Sequence, residues 1–192
     1  MSSSIWGCPI PKAEELNEKL LNWIDSQPIN PGDSELGDRI SNSDYYAHID
    51  FHSDDDRMER AEKHQEYYDI MKPYLVPWLN YIQQYYAAES FKVDGLWYHQ
   101  YKNGDRFTWH FHPESNISFV YFVELPDPSF STEFFLVERR ERYQPQLKSG
   151  DMLVFPSYMP HRCPQITSDI RKTIISGNLS LYNVNFDVIN HE

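Results

Sequence analysis

The sequence WHFHPESNISFVYFVEL, residues 109–125, decides the fold of this chain. Its second part, Ile117–Leu125, is apolar at nearly every position, whereas a strand with one solvated face alternates between apolar and polar residues. A strand that is apolar on both faces has to be covered on both sides. The stretch therefore predicts a central strand in a layered protein, with other elements packed above and below it.

Further strands are predicted on both sides of this stretch, because short apolar runs recur there between turn-forming residues. They are Leu96–Tyr101, Thr132–Glu138, Met152–Pro156 and Lys172–Tyr182. All of these strands lie in the second half of the chain, so the sheet is predicted to form there.

The first half is predicted to be mainly helical. A helix is expected to begin near Pro11, with acidic residues in its first turn. Apolar residues follow on one face of this helix at helical spacing: Leu16, Leu20, Trp23 and Ile24. Residues 27–53 are rich in Pro, Gly, Ser and Asp and are predicted to be a loop with one short strand.

Two more helices are predicted before the first strand. Asp56 is a suitable cap for the second helix, which is expected to end at Lys72 because Pro73 interrupts helical hydrogen bonding. A third helix is expected after Pro77. Its apolar stripe has the helical period and is interpreted as packing against the sheet: Leu75, Trp78, Leu79, Ile82 and Tyr86.

This order of elements predicts an α+β fold with a mainly β core, in which helices brace one face of a β-sandwich or barrel. The 192 residues are expected to form a single domain. Its helical support would span about residues 1–90 and its catalytic, strand-rich core about residues 91–185.

Composition narrows the classes of function. The formal net charge of −12 argues against a nucleic-acid partner, because phosphate binding needs clustered Lys and Arg. No stretch is long and apolar enough to span a bilayer, and the N-terminus lacks the pattern of a signal peptide. Cys8 and Cys163 are expected to be free thiols in a reducing cytosol. A cytoplasmic protein is therefore expected, in the host cytoplasm if the chain is viral.

Candidate chemistry begins at His110 and His112. In a strand, residues two positions apart project from the same face, so the two imidazoles are expected to lie together. Neutral imidazoles in such a pair are good ligands for a divalent metal. Taken alone the pair also suits two polar side chains at the rim of a sheet.

A third histidine follows in the segment GDMLVFPSYMPHRCP, residues 150–164, where a turn, a buried strand and a proline precede His161. Strands that fold back between the two segments would bring His161 to the pair. Arg171 begins the segment RKTIISGNLS, and a cation at the base of an apolar strand is costly to bury unless it meets an anion.

Together, HFHPESNISFVYFVELP, GDMLVFPSYMPHRCP and RKTIISGNLS resemble the Fe(II)/2-oxoglutarate-dependent oxygenases. The closest resemblance is to a branch that is common in marine bacteria and tailed phages and related in fold to prolyl hydroxylases. The resemblance covers about residues 95–182. It implies a double-stranded β-helix, or jelly roll, that binds Fe(II) near one open end and uses 2-oxoglutarate as co-substrate.

The metal ligands implied by the resemblance have two assignments. The superfamily typically uses His-x-Asp or His-x-Glu with a distal His, whereas this chain has His110-Phe111-His112. Either His110, His112 and His161 are all ligands, or His112 and Glu114 supply the pair and His110 lies behind them. The three-histidine set is preferred, because Pro113 disturbs the alternation that would keep Glu114 on the same face.

The co-substrate site implied by the resemblance also has alternatives. Arg171 would bind the distal carboxylate of 2-oxoglutarate, with Thr173 as a second donor. Lys172 is the rival, because counting back from Asn178 places it where some relatives keep their basic residue. The preceding strand offers wall residues for co-substrate or substrate: Tyr98, Gln100 and Tyr101.

The activity implied by the resemblance is hydroxylation of an unidentified protein or small-molecule substrate, coupled to conversion of 2-oxoglutarate and dioxygen to succinate and carbon dioxide. Two alternatives stay open at the level of sequence: a cupin-type three-histidine enzyme that does not use 2-oxoglutarate, and a jelly-roll binding or structural module without catalysis. A homodimer through exposed aromatic residues of the first half is also open.

Overall fold

The computed structural model of the chain describes residues 5–44 and 54–185 together with Asp187, with the side chains of 54–65 outside the description. The described residues form two large antiparallel sheets, a small two-stranded sheet and two α-helices. The helices and strands, in chain order, are β1 Trp6–Pro9, α1 Ala13–Ser26, β2 Gly32–Asp33, β3 Arg39–Ile40, β4 Asn42–Ser43, α2 Asp54–Tyr85, β5 Ser90–Tyr101, β6 Phe107–His110, β7 Ile117–Glu124, β8 Glu133–Leu136, β9 Glu141–Tyr143, β10 Asp151–Pro156, β11 His161–Cys163 and β12 Lys172–Tyr182.

The major sheet has six strands in the order β1-β10-β7-β12-β5-β4, and the minor sheet has four in the order β6-β11-β8-β9. β7 lies inside the major sheet, and all its residues from Ile117 to Val123 are buried. The prediction of a strand covered on both sides is confirmed. All the predicted strands are present, and β1, β9 and β11 were not predicted as strands.

The two faces of the major sheet enter different cores, because side chains alternate along each strand. In β7, Tyr121 and Val123 pack with the helices, whereas Val120 and Phe122 pack between the two sheets. Helices on one face and a second sheet on the other make a double-stranded β-helix braced by helices. The α+β jelly roll predicted from the sequence is confirmed.

Helix α1 has the apolar face that the sequence predicts, with Leu16, Leu20 and Ile24 fully buried. Each such side chain contributes about 1.5–3 kcal/mol by leaving water. The charged end of the same helix also contacts the sheet, since Asp25 accepts hydrogen bonds from Gln100 on β5 and from Arg171 beside β12. The helix is therefore attached to the sheet by both apolar and polar contacts.

The prediction of two helices separated at Pro73 is wrong, because α2 continues from Asp54 through Pro73 and Pro77 to Tyr85. A proline inside a helix costs about 3 kcal/mol through its missing N–H and steric clash. On either side of Pro73, Met71 and Leu75 are buried against the sheet. Tertiary packing therefore outweighs the local preference. The side chain of Asp56 lies outside the described residues.

The segment predicted to be a loop contains three two-residue strands, β2, β3 and β4, and residues 45–53 lie outside the description. β4 joins the edge of the major sheet, where Ser43 pairs with His99 of β5. In the part of the chain that the structure describes, no helix has the length and apolar character required to cross a membrane.

Candidate active site

The candidate active site is a pocket between the two sheets, walled by β5, β7 and β12 on one side and by β6 and β11 on the other. Its empty volume is about 520 Å³, a figure that includes the solvent at its open mouth. Predicted site residues that line it are Tyr101, His110, His112, His161 and Lys172.

Three histidines converge at this pocket. His110 is the last residue of β6 and pairs directly with His161, the first residue of β11. His112 lies two residues beyond the end of β6, where its backbone N–H donates to Ser157 O at 2.8 Å. The His110 ring centroid is 4.2 Å from that of His161 and 5.1 Å from that of His112. Each of the three offers a ring nitrogen within 4.8 Å of the others.

Backbone carbonyls fix the orientation of two of these rings. His110 Nδ1 donates to Thr108 O at 2.9 Å, and His161 Nδ1 donates to Met159 O at 2.8 Å. A carbonyl oxygen only accepts, so the proton is on Nδ1 and the Nε2 lone pair is left for a metal. The donor set therefore fits a metal ion held by neutral imidazoles.

Burial keeps these histidines in the form that a metal needs. Burial, followed by repulsion from His110, lowers the pKa of His112 to about 4. The same two causes hold the pKa of His161 well below its usual value, and burial lowers the pKa of His110. Protons therefore compete weakly for the ring nitrogens at neutral pH.

Glu114 does not join the histidines. Its side chain is exposed, and the metal-type cluster found among the described residues contains His110, His112 and His161 without a carboxylate. Strand β6 has already ended at His110, and Pro113 and Glu114 form a turn in which the Glu114 side chain is exposed to solvent.

Lys172 is fully buried in the pocket wall. Its Nζ lies 3.1 Å from Cys163 Sγ and 5.2 Å and 5.7 Å from the ring centroids of Tyr101 and Phe122. Among the side chains that the structure describes, those of residues 5–44 and 66–185, no carboxylate forms an ion pair with it. A buried ammonium without a carboxylate is costly, so this end of the pocket suits the carboxylate of a ligand.

Arg171 and Thr173 do not line the pocket. The Arg171 guanidinium donates from Nε and Nη2 to the two oxygens of Glu124, at 2.7 Å and 2.9 Å, and from Nη1 to Asp25. Thr173 Oγ1 also donates to Glu124. Both residues face the same way, as the sequence predicts, but the carboxylate that they meet belongs to the chain itself.

The predicted wall residues on β5 separate by their position along the strand. Tyr101 lines the pocket, whereas Tyr98 packs against Trp23 and Tyr67 in the helix-facing core and Gln100 bonds with Asn42. Because alternate residues share a face, the pocket side of β5 also carries Trp97 and His99, which sequence reasoning missed. Counting every second residue back from Tyr101 along the strand would have identified both Trp97 and His99.

His99 adds a fourth buried imidazole to the pocket. Its Nδ1 lies 2.8 Å from Ser43 Oγ on β4, and its ring packs against Phe107 at 5.4 Å between centroids. Burial, then the charges of His110 and Lys172, lower its pKa to about 3. His99 is therefore neutral at pH 7, and its ring contacts Tyr101 as well as Phe107 in the pocket wall.

A comparison with known protein families finds a match to the part of the chain that contains these pocket residues. Residues 95–178, which hold both the three histidines and Lys172, match the family described as "Putative 2OG-Fe(II) oxygenase". Over these residues the chain matches the 2OG-Fe(II) oxygenases. This match supports iron and 2-oxoglutarate as cofactor and co-substrate, and it disfavours the cupin-type and non-catalytic alternatives. No curated protein matches the chain significantly in sequence.

Solved structures with the same fold include two prolyl hydroxylases and an oxidoreductase of the 2OG-Fe(II) oxygenase family. A prolyl-4-hydroxylase from Pseudomonas putida is 16% identical, with a TM-score of 0.53 and 93% of each chain covered. The viral collagen prolyl hydroxylase of Paramecium bursaria Chlorella virus-1, solved with 2-oxoglutarate, is 10% identical, with a TM-score of 0.58, and the match covers 94% of this chain and 97% of that chain. An oxidoreductase of the 2OG-Fe(II) oxygenase family from Burkholderia pseudomallei is 10% identical, with a TM-score of 0.64 and coverage of 94% and 87%. At these identities the likeness shows the fold.

Proposed function

We propose that this protein is a hydroxylase that uses Fe(II) and 2-oxoglutarate to oxidise a C–H bond of a protein or small-molecule substrate. The observation that carries the proposal is the pairing of three neutral histidines with one buried ammonium in a single pocket. A metal ion would bind the histidines at one end of this pocket, and a carboxylate of a dicarboxylate ligand would pair with the ammonium at the other end.

His110, His112 and His161 are the proposed iron ligands. The carbonyls of Thr108 and Met159 support this role by holding two of the rings with Nε2 available. Because all three ligands are neutral, the site keeps the full +2 charge of the ion, which one carboxylate ligand would reduce. That charge favours an anionic co-substrate.

Lys172, rather than Arg171, is the proposed partner of the distal carboxylate of 2-oxoglutarate. Lys172 has no carboxylate of its own among the described residues, whereas Arg171 already binds both Glu124 and Asp25. Turning the Arg171 side chain into the pocket would break its ion pairs with these two carboxylates. The Tyr101 ring lies beside the Lys172 ammonium and would contact the distal carboxylate of 2-oxoglutarate.

The chain's own contribution to the reaction is to orient the ligands and exclude water. Phe155 packs on His161 with 4.7 Å between ring centroids, and Phe107 packs on His110 at 4.5 Å. Apolar walls around the ligands strengthen the charge interactions inside the pocket. With iron and 2-oxoglutarate bound, dioxygen would be the oxidant: one of its oxygen atoms would enter the substrate, and the other would enter the succinate that forms from 2-oxoglutarate with release of carbon dioxide.

Peptidyl proline is the first substrate class to test, since two of the structures with this fold are prolyl hydroxylases. Free amino acids and other small metabolites come next. A hydroxylase would give a product heavier by one oxygen atom, with one succinate formed for each product.

The experiment that tests the function is an anaerobic titration of the protein with Fe(II) and then 2-oxoglutarate, followed by visible absorption. A charge-transfer band that appears only when both are present is the expected result. His161→Ala should abolish the band, and Lys172→Met should move it to higher 2-oxoglutarate concentrations. Iron binding without any band at saturating 2-oxoglutarate would overturn the proposal.

A further inference from the structure

Cys163 is a buried thiol inside the catalytic pocket. It is the last residue of β11, its side chain is 6% exposed, and it lines the same pocket as His161. Lys172 Nζ donates to its sulfur at 3.1 Å. The thiol therefore lies against the cation that is proposed to bind 2-oxoglutarate.

The contact leaves the Lys172 ammonium poorly satisfied. A thiol sulfur is a weak acceptor, and the other close neighbours of Nζ are the faces of the Tyr101 and Phe122 rings. An ammonium has three N–H donors. An oxygen atom added to Cys163 Sγ would give this buried cation the stronger acceptor that it lacks.

We propose that Cys163 is a site of reversible oxidation by peroxide, and that its sulfenic acid blocks 2-oxoglutarate by occupying the position beside Lys172. The inference rests on the proposed role of Lys172. Peroxide is the named oxidant, and the pocket gives a small molecule of this kind a path to the sulfur.

Cys163 sulfur attacks one oxygen of hydrogen peroxide, an S–O bond forms and the O–O bond breaks. Two electrons pass from sulfur to the peroxide, and the thiol proton leaves with the departing hydroxide as water. A sulfenic acid is reversible by thiol reductants, so loss of 2-oxoglutarate binding should be reversible as well.

Cys8 supplies an internal control. It is also buried, at 9% exposure, and it is a free thiol. Its side chain packs in the core between the major sheet and the helices and does not line the pocket. Burial and the neighbouring Asp151 raise its pKa to about 11, which disfavours the reactive thiolate. Oxidation should therefore reach Cys163 before Cys8.

The test treats metal-free full-length protein with hydrogen peroxide, removes the excess with catalase and traps sulfenic acid with a 1,3-diketone reagent for peptide mass mapping. A second aliquot is loaded anaerobically with Fe(II) and titrated with 2-oxoglutarate. We expect the trap on Cys163, and a rise of about tenfold or more in the 2-oxoglutarate concentration needed for the charge-transfer band. Dithiothreitol should restore the original titration.

Two cysteine variants, each compared with itself before and after peroxide, and one lysine variant make the outcome decisive. Cys8→Ser should respond like the wild type, and Cys163→Ser should show no change. Trapping on Cys8 in preference to Cys163, or oxidation of Cys163 with an unchanged titration, would overturn the inference. Lys172→Met tests the underlying role separately, because normal 2-oxoglutarate binding by that variant before any peroxide would refute the proposed function of Lys172 itself.

Discussion

Lys172 and Arg171 are consecutive residues whose charged groups lie on opposite sides of the major sheet. The Lys172 ammonium lies inside the pocket against Cys163, and the Arg171 guanidinium lies outside it against Glu124 and Asp25. Successive residues in extended chain point to opposite faces. The two consecutive cations therefore have different roles. Lys172 is available to a ligand in the pocket, whereas Arg171 stabilises the fold through its ion pairs.

Replacing these two residues should have separable effects. Lys172→Met keeps the length of the side chain and removes its charge, so the Kd for 2-oxoglutarate should rise about 10- to 150-fold, since a hydrogen bond to a charged group contributes about 1.5–3 kcal/mol. Arg171→Met should leave that Kd nearly unchanged and lower the free energy of unfolding by about 1–2 kcal/mol. Anaerobic 2-oxoglutarate titration and urea unfolding measure the two quantities. The opposite pattern would return the co-substrate role to Arg171.

Removal of any of the three clustered histidines should abolish tight iron binding. His110→Ala, His112→Ala and His161→Ala should each weaken binding by more than the roughly 10- to 100-fold that loss of an outer hydrogen-bond partner costs. Isothermal titration with Fe(II) under nitrogen measures the effect.

Glu114→Gln is the matched control for these variants, because Glu114 is the exposed rival ligand. It should bind iron like the wild type. If Glu114→Gln lost iron while His110→Ala kept it, the ligand pair would be His112 and Glu114.

Acid should destabilise the metal-free protein through its buried histidines. Burial lowers the pKa of His112 to about 4 and that of His99 to about 3, whereas an unfolded chain titrates near 6.5. Between these values the unfolded state binds more protons, so the stability present above pH 6.5 is lost as the pH falls towards the folded values. The slope is at most about 1.4 kcal/mol per pH unit for each histidine.

Urea unfolding between pH 4 and pH 8 checks this expectation. His99→Gln should reduce the slope over the acidic part of the range, since His99 is then no longer available to take up a proton on unfolding. A slope that is identical in the variant and the wild type would mean that His99 is not the source.

Gly177 is predicted to be intolerant of any side chain. A Cβ at this position would lie 2.5 Å from Phe119 Cζ, and Phe119 is buried and unable to withdraw. Gly177→Ala should therefore lower the free energy of unfolding by about 1–3 kcal/mol. Gly95→Ala is the control on the neighbouring strand, because its Cβ would meet Trp97 at an ordinary 3.7 Å. Equal losses in thermal unfolding for both variants would contradict the clash.

Much of the fold could be predicted from the sequence because its strongest signals are local. The apolar run of β7 and the helical spacing of Leu16, Leu20 and Ile24 determine burial directly. The continuity of α2 could not be predicted, since it depends on Met71 and Leu75 packing against strands far along the chain. Local propensity is outweighed where tertiary burial is large.

The residue types of the site could be predicted from the sequence, but the directions in which their side chains point were harder to predict. The convergence of His110 and His161 follows from their pairing across β6 and β11, but the spacing of the two motifs alone does not give that register. Tyr98 and Tyr101 differ by an odd number of positions and so cannot share a face of β5. The same alternation could not assign Arg171 to a face, because the sequence does not show whether Arg171 or its neighbour Lys172 points into the pocket.

The core shared by the helices and the sheet has a consequence for the part of the chain that matches the oxygenase family. Residues 95–178 contain the proposed ligands and Lys172, yet Tyr121 and Ile175 on that segment bury their side chains against α1 and α2, which lie outside it. Cut away from its helices, the segment would present a broad apolar surface to water. The matched segment therefore carries the proposed chemistry but relies on helices outside it to bury its apolar face.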